Sequence, residues 1–387
     1  MKFFYLILFF QTLYSISLHS TRPIITLYAD SLGASVAVVG MLVSSFALLP
    51  MLLAISIGKW LDHYGAKRIS IIGAVGMLLA FGIPSLVPNF LTLFLSQILL
   101  GISHLFVLVA LQKTVGNLPG NRDKLIATFS LTGSLGELIG PLYSGFTYEH
   151  FGFQATFFIA AVFVFVTLTF TLFTKNQSWG KINWSNVKQS PSWMLLKNIN
   201  LRKAMVVSGL VLFSKDLFVA YFPIYGSSIG MNASQIGIIL SLMAGMSIIV
   251  RIAQFHLVQA FGRGLVLTTT LFISGIAYVL LPLTPLPLLL TVIAIALGGG
   301  LGLGQPLSLV YALNVSPKDR QGEVLGMRLT FNRGSQFVAP FLFGGIGSLA
   351  GISAIFWVSG GILLLGAHFT RLKKEANDSN KKERDRA

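Results

Sequence analysis

The chain contains no cysteine, which excludes disulfides, thiolate metal sites and a cysteine nucleophile. Charge is scarce too. Asp, Glu, Lys and Arg make up 10% of the 387 residues, where a soluble domain carries about 25%. Acid is the scarcest, with 12 carboxylates against 28 Lys and Arg and a formal net charge of +16. No H-E-x-x-H motif and no G-x-x-x-x-G-K-[ST] loop occurs, so zinc proteolysis and ATP-driven pumping lack their usual apparatus. A G-x-S-x-G string runs from Gly226 to Gly230. It closes an apolar helical run instead of a strand-to-helix turn, so it is no nucleophile elbow.

What the chain has in quantity is hydrophobic residues, 54% of the total, and its mean hydropathy is +0.78. Such a chain cannot cover itself with a water-compatible surface, so lipid must be its solvent. Apolar runs fall near residues 3–29, 36–58, 69–87, 90–112, 125–147, 153–174, 204–228, 234–258, 264–284, 286–314, 322–348 and 351–369. Each approaches or exceeds the ~20 residues that cross a bilayer as helix, the form that satisfies its own backbone in lipid. A signal peptide is the competing reading of the first run, but no small-x-small cleavage site follows it.

With the N-terminus inside, all but five of the 28 basic residues fall on one side of these runs. The five are Arg22, Lys215, Arg251, Arg328 and Arg333. This is the positive-inside asymmetry, with both termini cytoplasmic and an even number of spans. The net charge therefore reads as topology, and nucleic-acid binding is not expected. The stretch 175–203, with six basic residues and no acidic one, divides the spans six and six and reads as an amphipathic surface linker. The halves echo each other. An offset of 197 places Gly40 on Gly237 and Gly65 on Gly262, and an offset of 199 places Gly101 on Gly300, Pro141 on Pro340 and Gly145 on Gly344.

The loop after the second run reads Gly58-Lys-Trp-Leu-Asp62-His-Tyr-Gly65-Ala-Lys67-Arg68. It resembles the G-x-x-x-D-x-x-G-x-[KR]-[KR] signature of the major facilitator superfamily at every position, and the twelve runs, the repeat and the central loop extend the likeness over the whole chain. The fifth run holds Gly136-Glu137-Leu-Ile-Gly140-Pro141-Leu-Tyr-Ser144-Gly145, similar to the G-x-x-x-G-P-x-x-G-G pattern of drug/proton antiporters, with Ser144 in place of one glycine. The resemblance implies an all-α membrane protein with 12 transmembrane helices in two six-helix bundles, the major facilitator fold. It implies that Gly58, Asp62, Gly65, Lys67 and Arg68 form a conformational latch, and that Gly136, Gly140, Pro141 and Gly145 form a helix-bend motif. Spans 1, 4, 7 and 10 should line the substrate path, and spans 2, 5, 8 and 11 the rocking interface. One departure is Gln97, four before Gly101, where proton-coupled exporters carry arginine; it weakens any proton route copied from them.

A lone carboxylate in mid-bilayer costs about 2.5–3.5 kcal/mol, so Glu137 and Asp216 are candidate proton carriers. Arg22, Lys215, Arg251 and Arg333 are candidate substrate-binding residues, and their surplus over carboxylates favours an anionic or zwitterionic substrate. Glu137 could instead pair with Arg333 and never titrate. Lys215 and Asp216 are adjacent, about 100° apart on a helix, so they are not expected to face one cavity together. His104 and His256 read as hydrogen-bonded structural residues.

These readings divide the chain into an N-terminal bundle (1–174), a cytoplasmic linker (175–203), a C-terminal bundle (204–370) and a charged cytoplasmic tail (371–387). The expectation is a monomeric, multi-pass protein of the cytoplasmic membrane without cofactor, metal or enzymatic activity. It would exchange protons for a small organic molecule, exporting a drug-like compound or an anionic or zwitterionic metabolite. Metabolite uptake by the same fold is the alternative. A non-transporting sensor or a membrane-embedded enzyme has less in its favour, since no catalytic set clusters in the spans.

Overall fold

The computed structural model describes residues 2–175, 195, 197–316 and 321–369, and the regular structure among them is helical. The helices are α1 (Lys2–Ser31), α2 (Val36–Tyr64), α3 (Ala66–Leu86), α4 (Phe90–Gly116), α5 (Arg122–Phe173), α6 (Ile199–Ser228), α7 (Ala233–Phe261), α8 (Arg263–Leu280), α9 (Pro287–Asn314), α10 (Gln321–Ala350) and α11 (Ile352–Phe369). Among the described residues, nine helices are long and apolar enough to cross a membrane. The polar residues of α10 and the shortness of α11 keep these two outside that group.

The 52 residues of α5 are two helices in succession, about 78 Å of helix in all at 1.5 Å per residue, enough for two crossings of ~30 Å. Gly152 divides it with φ 78° and ψ −177°, a conformation that glycine enters without a Cβ clash. So α5 supplies the predicted fifth and sixth spans, and the eleven helices among the described residues provide the twelve segments of the expected fold. Asparagine or serine caps begin α2, α4, α5, α6 and α7, taking up N–H groups that a helix start leaves unpaired. The Asn198 cap starts α6 at Ile199, inside the stretch assigned to the linker. Residues 176–194 and 196 of that linker and the tail from 371 lie outside the described residues.

Within the first half, α1 packs on α5, α3 on α4 and α5, and α2 on α4; within the second, α6 packs on α10, α8 on α9 and α11, and α7 on α9. The second list repeats the first with each helix replaced by its counterpart. The halves meet mainly through α2 against α10 and α5 against α7, with α1 against α6 beside them. The first two pairs are the rocking interface that the resemblance implies.

Four of the repeated glycines, Gly40, Gly145, Gly237 and Gly344, sit in these seams. A Cβ on Gly40 would run into the Pro340 carbonyl oxygen and the Gly344 Cα, and a Cβ on Gly237 into the Pro141 carbonyl oxygen and the Gly145 Cα. The two seams therefore use equivalent residues of opposite halves, and absence of a side chain is what lets the helices approach. One repeat assignment is corrected. A Cβ on Gly101 would strike the Phe46 carbonyl oxygen, whereas the residue that meets the equivalent Met243 carbonyl oxygen is Gly298, not Gly300. Gly300 packs on Ser274, as Ser103 packs on Gly76. Identity alone misregistered this span by two residues because glycine recurs at 298, 299 and 300. Prolines lie inside α1, α2, α3, α5, α6, α9 and α10 at Pro23, Pro50, Pro84, Pro141, Pro223, Pro306 and Pro340.

Candidate functional site

Helix α1 carries Gln11, Ser15, His19, Arg22 and Thr26 at spacings of three and four, a polar stripe along one face. It meets Lys215 and Asp216 of α6 at the junction of the halves. Arg22 Nη1 donates to Asp216 Oδ1 at 2.9 Å, and its guanidinium lies 5.0 Å from the centre of the Phe46 ring. Gln336 Nε2 donates to Asp216 Oδ2 at 2.6 Å, and Arg333 Nη1 donates to Gln336 Oε1 at 2.8 Å. A parallel tie joins Lys215 Nζ to Glu137 Oε2 at 2.6 Å. Adjacent residues of α6 thus bind two different helices of the opposite half. The expected angular separation is right, but α1 and α5 lie side by side, so the splay delivers one side chain to each. The Glu137–Arg333 pairing does not form; Glu137 takes Lys215 instead.

His19 completes the Glu137 cluster. Its Nδ1 lies 2.8 Å from the Ser15 carbonyl oxygen, an acceptor, so Nδ1 carries the hydrogen. Its Nε2 lies 3.7 Å from Glu137 Oε1. That approach is favourable when a proton is held by one of the two. His19 did not stand out among the acidic and basic residues of the sequence; its place on the polar stripe of α1 is the signal that finds it.

The remaining cations are held without a carboxylate among the described residues. Arg251 Nε donates to the Gly302 carbonyl at 3.0 Å, and its Nη1 donates across the halves to Ser134 Oγ at 2.7 Å. Arg328 donates to the Gln305 carbonyl and side chain. The mid-span layer holds Arg22, Lys215, Arg251 and Arg333 beside Glu137 and Asp216, so cations exceed carboxylates there as expected. Buried donors also lack partners here: Gln97 Nε2 and Arg333 Nε, together with His104 Nδ1, which does not make the hydrogen bond anticipated for that histidine. His256 is exposed. Beside the Arg22–Asp216 pair, Val43, Gln97 and Val219 line a cavity of about 10 Å³, room for roughly one water.

The helix-bend motif serves two neighbours. Gly136 and Gly140 admit the backbone of α1 at Ser15 and at His19–Ser20, while Pro141 and Gly145 face α7 of the other half. Of the latch residues, Gly65 caps α2 with φ 83°, Arg68 is exposed, and Lys67 Nζ donates to the Leu172 carbonyl at 3.0 Å and to that of Thr174, within its own half. Gly58 and Asp62 lie on α2, and their surroundings fall outside the described residues.

Two packed halves joined at mid-span by breakable ionic ties are the geometry of a carrier. The sequence profile of the Major Facilitator Superfamily matches residues 7–258 and 207–387. The chain belongs to the Major Facilitator Superfamily. Relatives in this superfamily include an uncharacterized MFS-type transporter of Methanocaldococcus jannaschii, 26% identical over 88% of this chain and 92% of that one. Multidrug resistance protein 2 of Bacillus subtilis is 24% identical over 91% of this chain and 90% of its own length. Among solved structures, the nucleoside transporter NupG superposes with a TM-score of 0.77 over 95% of this chain and 98% of that one, at 16% identity, a likeness of fold. This superfamily member is accordingly a multi-pass membrane protein and a secondary transporter.

Proposed function

We propose that the protein exports a small organic anion or zwitterion from the cytoplasm in exchange for protons, by alternating access between two six-helix bundles (1–174 and 204–370) joined by a cytoplasmic linker (175–203). The observation that carries this reading is the pair of inter-half ties, Lys215–Glu137 and Arg22–Asp216. Each must break when one half rocks against the other. Protonation of a carboxylate removes one member of a tie, and so does an anion that takes over its cation. A proton on Glu137 leaves Lys215 free for substrate, and His19, within 3.7 Å, is placed to exchange that proton. The guanidiniums of Arg251 and Arg333, without carboxylate partners among the described residues, give a substrate anion its countercharge. The multidrug resistance relatives support the outward direction. The basic flank and the tail from 371 face the cytosol, Asp62 and its loop serve as the latch, and the monomer is the working unit in the cell membrane.

The test is metabolite and drug profiling of cells with and without the protein, repeated with a protonophore. Export predicts that the substrate is depleted in expressing cells and that this depletion collapses with the proton gradient. Accumulation in expressing cells, or depletion indifferent to the protonophore, would refute direction or coupling respectively.

A further inference from the structure

Beyond the charged layer, the two seams end in a pair of side-chain straps at the face opposite the basic loops. At the start of α7, Asn232 accepts the N–H of Gln235 at 2.8 Å, and the N–H of Ser234 is taken from the other half by Glu149 Oε2 at 3.0 Å. At the start of α2, Ser35 accepts the N–H of Val38 at 3.4 Å, and the N–H of Ala37 is taken from the other half by Ser348 Oγ at 2.9 Å. Ala37 and Ser234 are related by the 197-residue offset that relates Gly40 to Gly237, and Glu149 and Ser348 by the 199-residue offset that relates Gly145 to Gly344. The same orphan N–H of each helix start is therefore completed by the opposite half, once by a carboxylate and once by a hydroxyl.

We propose that Glu149 and Ser348 are positioning residues of the transport cycle: unequal straps that hold the two halves together at the outer face and set how often it opens. Each strap is complete while α2 lies on α10 and α7 on α5, and each is lost when those helix ends separate. The Glu149 strap is the stronger, because a carboxylate is also attracted by the positive end of the α7 dipole, worth about 0.3–1 kcal/mol at an exposed site. Neither residue belongs to the charged layer at mid-span, so they bias the opening equilibrium without a part in substrate or proton binding.

The proposal rests on the transporter topology given above, and its test needs no substrate. Because the chain is free of cysteine, Val43→Cys, beneath the α2–α10 seam and beside the small cavity, is a unique label site reached from outside when that face opens. Leu32→Cys, exposed between α1 and α2, reports orientation and amount in parallel. With a membrane-impermeant maleimide added to intact cells, Glu149→Gln should speed Val43→Cys labelling by about two- to fivefold, the range that the dipole term converts to. Glu149→Asp should return it toward the parent rate. Ser348→Glu, which installs a second carboxylate strap, should slow it by a similar factor. Unchanged rates, or Glu149→Gln and Ser348→Glu moving the rate in the same direction while Leu32→Cys labels normally, would overturn the straps. Loss of Leu32→Cys labelling from outside would instead overturn the topology.

Discussion

The Arg22–Asp216 pair offers a quantitative check, because both members are nearly enclosed, with side-chain exposures of 14% and 6%. Removing one partner of a buried ion pair costs about 3–5 kcal/mol, chiefly for the charge left behind, whereas replacing both by neutral groups is often close to neutral. Asp216→Asn keeps an acceptor for the Gln336 amide and leaves Arg22 its place over Phe46, 5.0 Å away, an attraction of about 0.5–2 kcal/mol. The low end, about 3 kcal/mol, is therefore expected for this variant. Arg22→Gln should cost a similar amount. The double variant Arg22→Gln/Asp216→Asn buries no unpaired charge and should lie within about 1 kcal/mol of the parent, a coupling well above the few tenths seen for independent sites. Thermal unfolding of the four purified proteins in detergent reads this directly. A double variant destabilised by the sum of the single effects would mean that the two charges are held independently, and the inter-half tie would fall with it.

The seams predict that Gly237→Val and Gly40→Val abolish transport without preventing membrane insertion, because each side chain would displace a backbone carbonyl of the opposite half; retained uptake or efflux in either variant, at normal expression, contradicts the close approach. Arg251→Ala and Arg333→Ala should impair an anionic substrate at least tenfold more than a cationic dye, read as initial efflux rates. If the substrate carries one net negative charge, a 100 mV inside-negative potential favours its exit by about 2.3 kcal/mol, roughly 50-fold in concentration ratio. Clamping the potential to zero with valinomycin and potassium should then reduce efflux from vesicles even at constant proton gradient.

The fold was legible because its signals are local. Runs of apolar residues, the one-sided placement of Lys and Arg, and glycines at fixed offsets each mark a span or a seam without reference to a partner. Gly152 leaves the helical conformation and ends one crossing there, so the break between 147 and 153 was readable. The site was legible only by residue type. That Glu137, Asp216, Arg22 and Lys215 work at mid-span follows from the cost of charge in lipid, but Arg22 and Asp216 are 194 positions apart, and nothing local says which cation finds which acid. Neighbouring helices decide that, as with Lys215, which takes Glu137 because α5 lies next to α1. His19 was legible in principle, from the three-and-four spacing of polar residues along α1, but a scan for formal charge passes over it.

The four prolines in α1, α5, α6 and α10 fall at a telling height. A proline has no N–H to give the carbonyl four residues earlier, and for Pro23, Pro141, Pro223 and Pro340 those carbonyls belong to His19, Glu137, Val219 and Gln336. Each is a residue of the charged layer or of the small cavity beside it. In these four helices the backbone therefore lacks a hydrogen bond at the level where ionic contacts change partners, and the four share one storey at which they can bend. A change of charge there is converted into bending where it arises, with little distance over which the signal must travel.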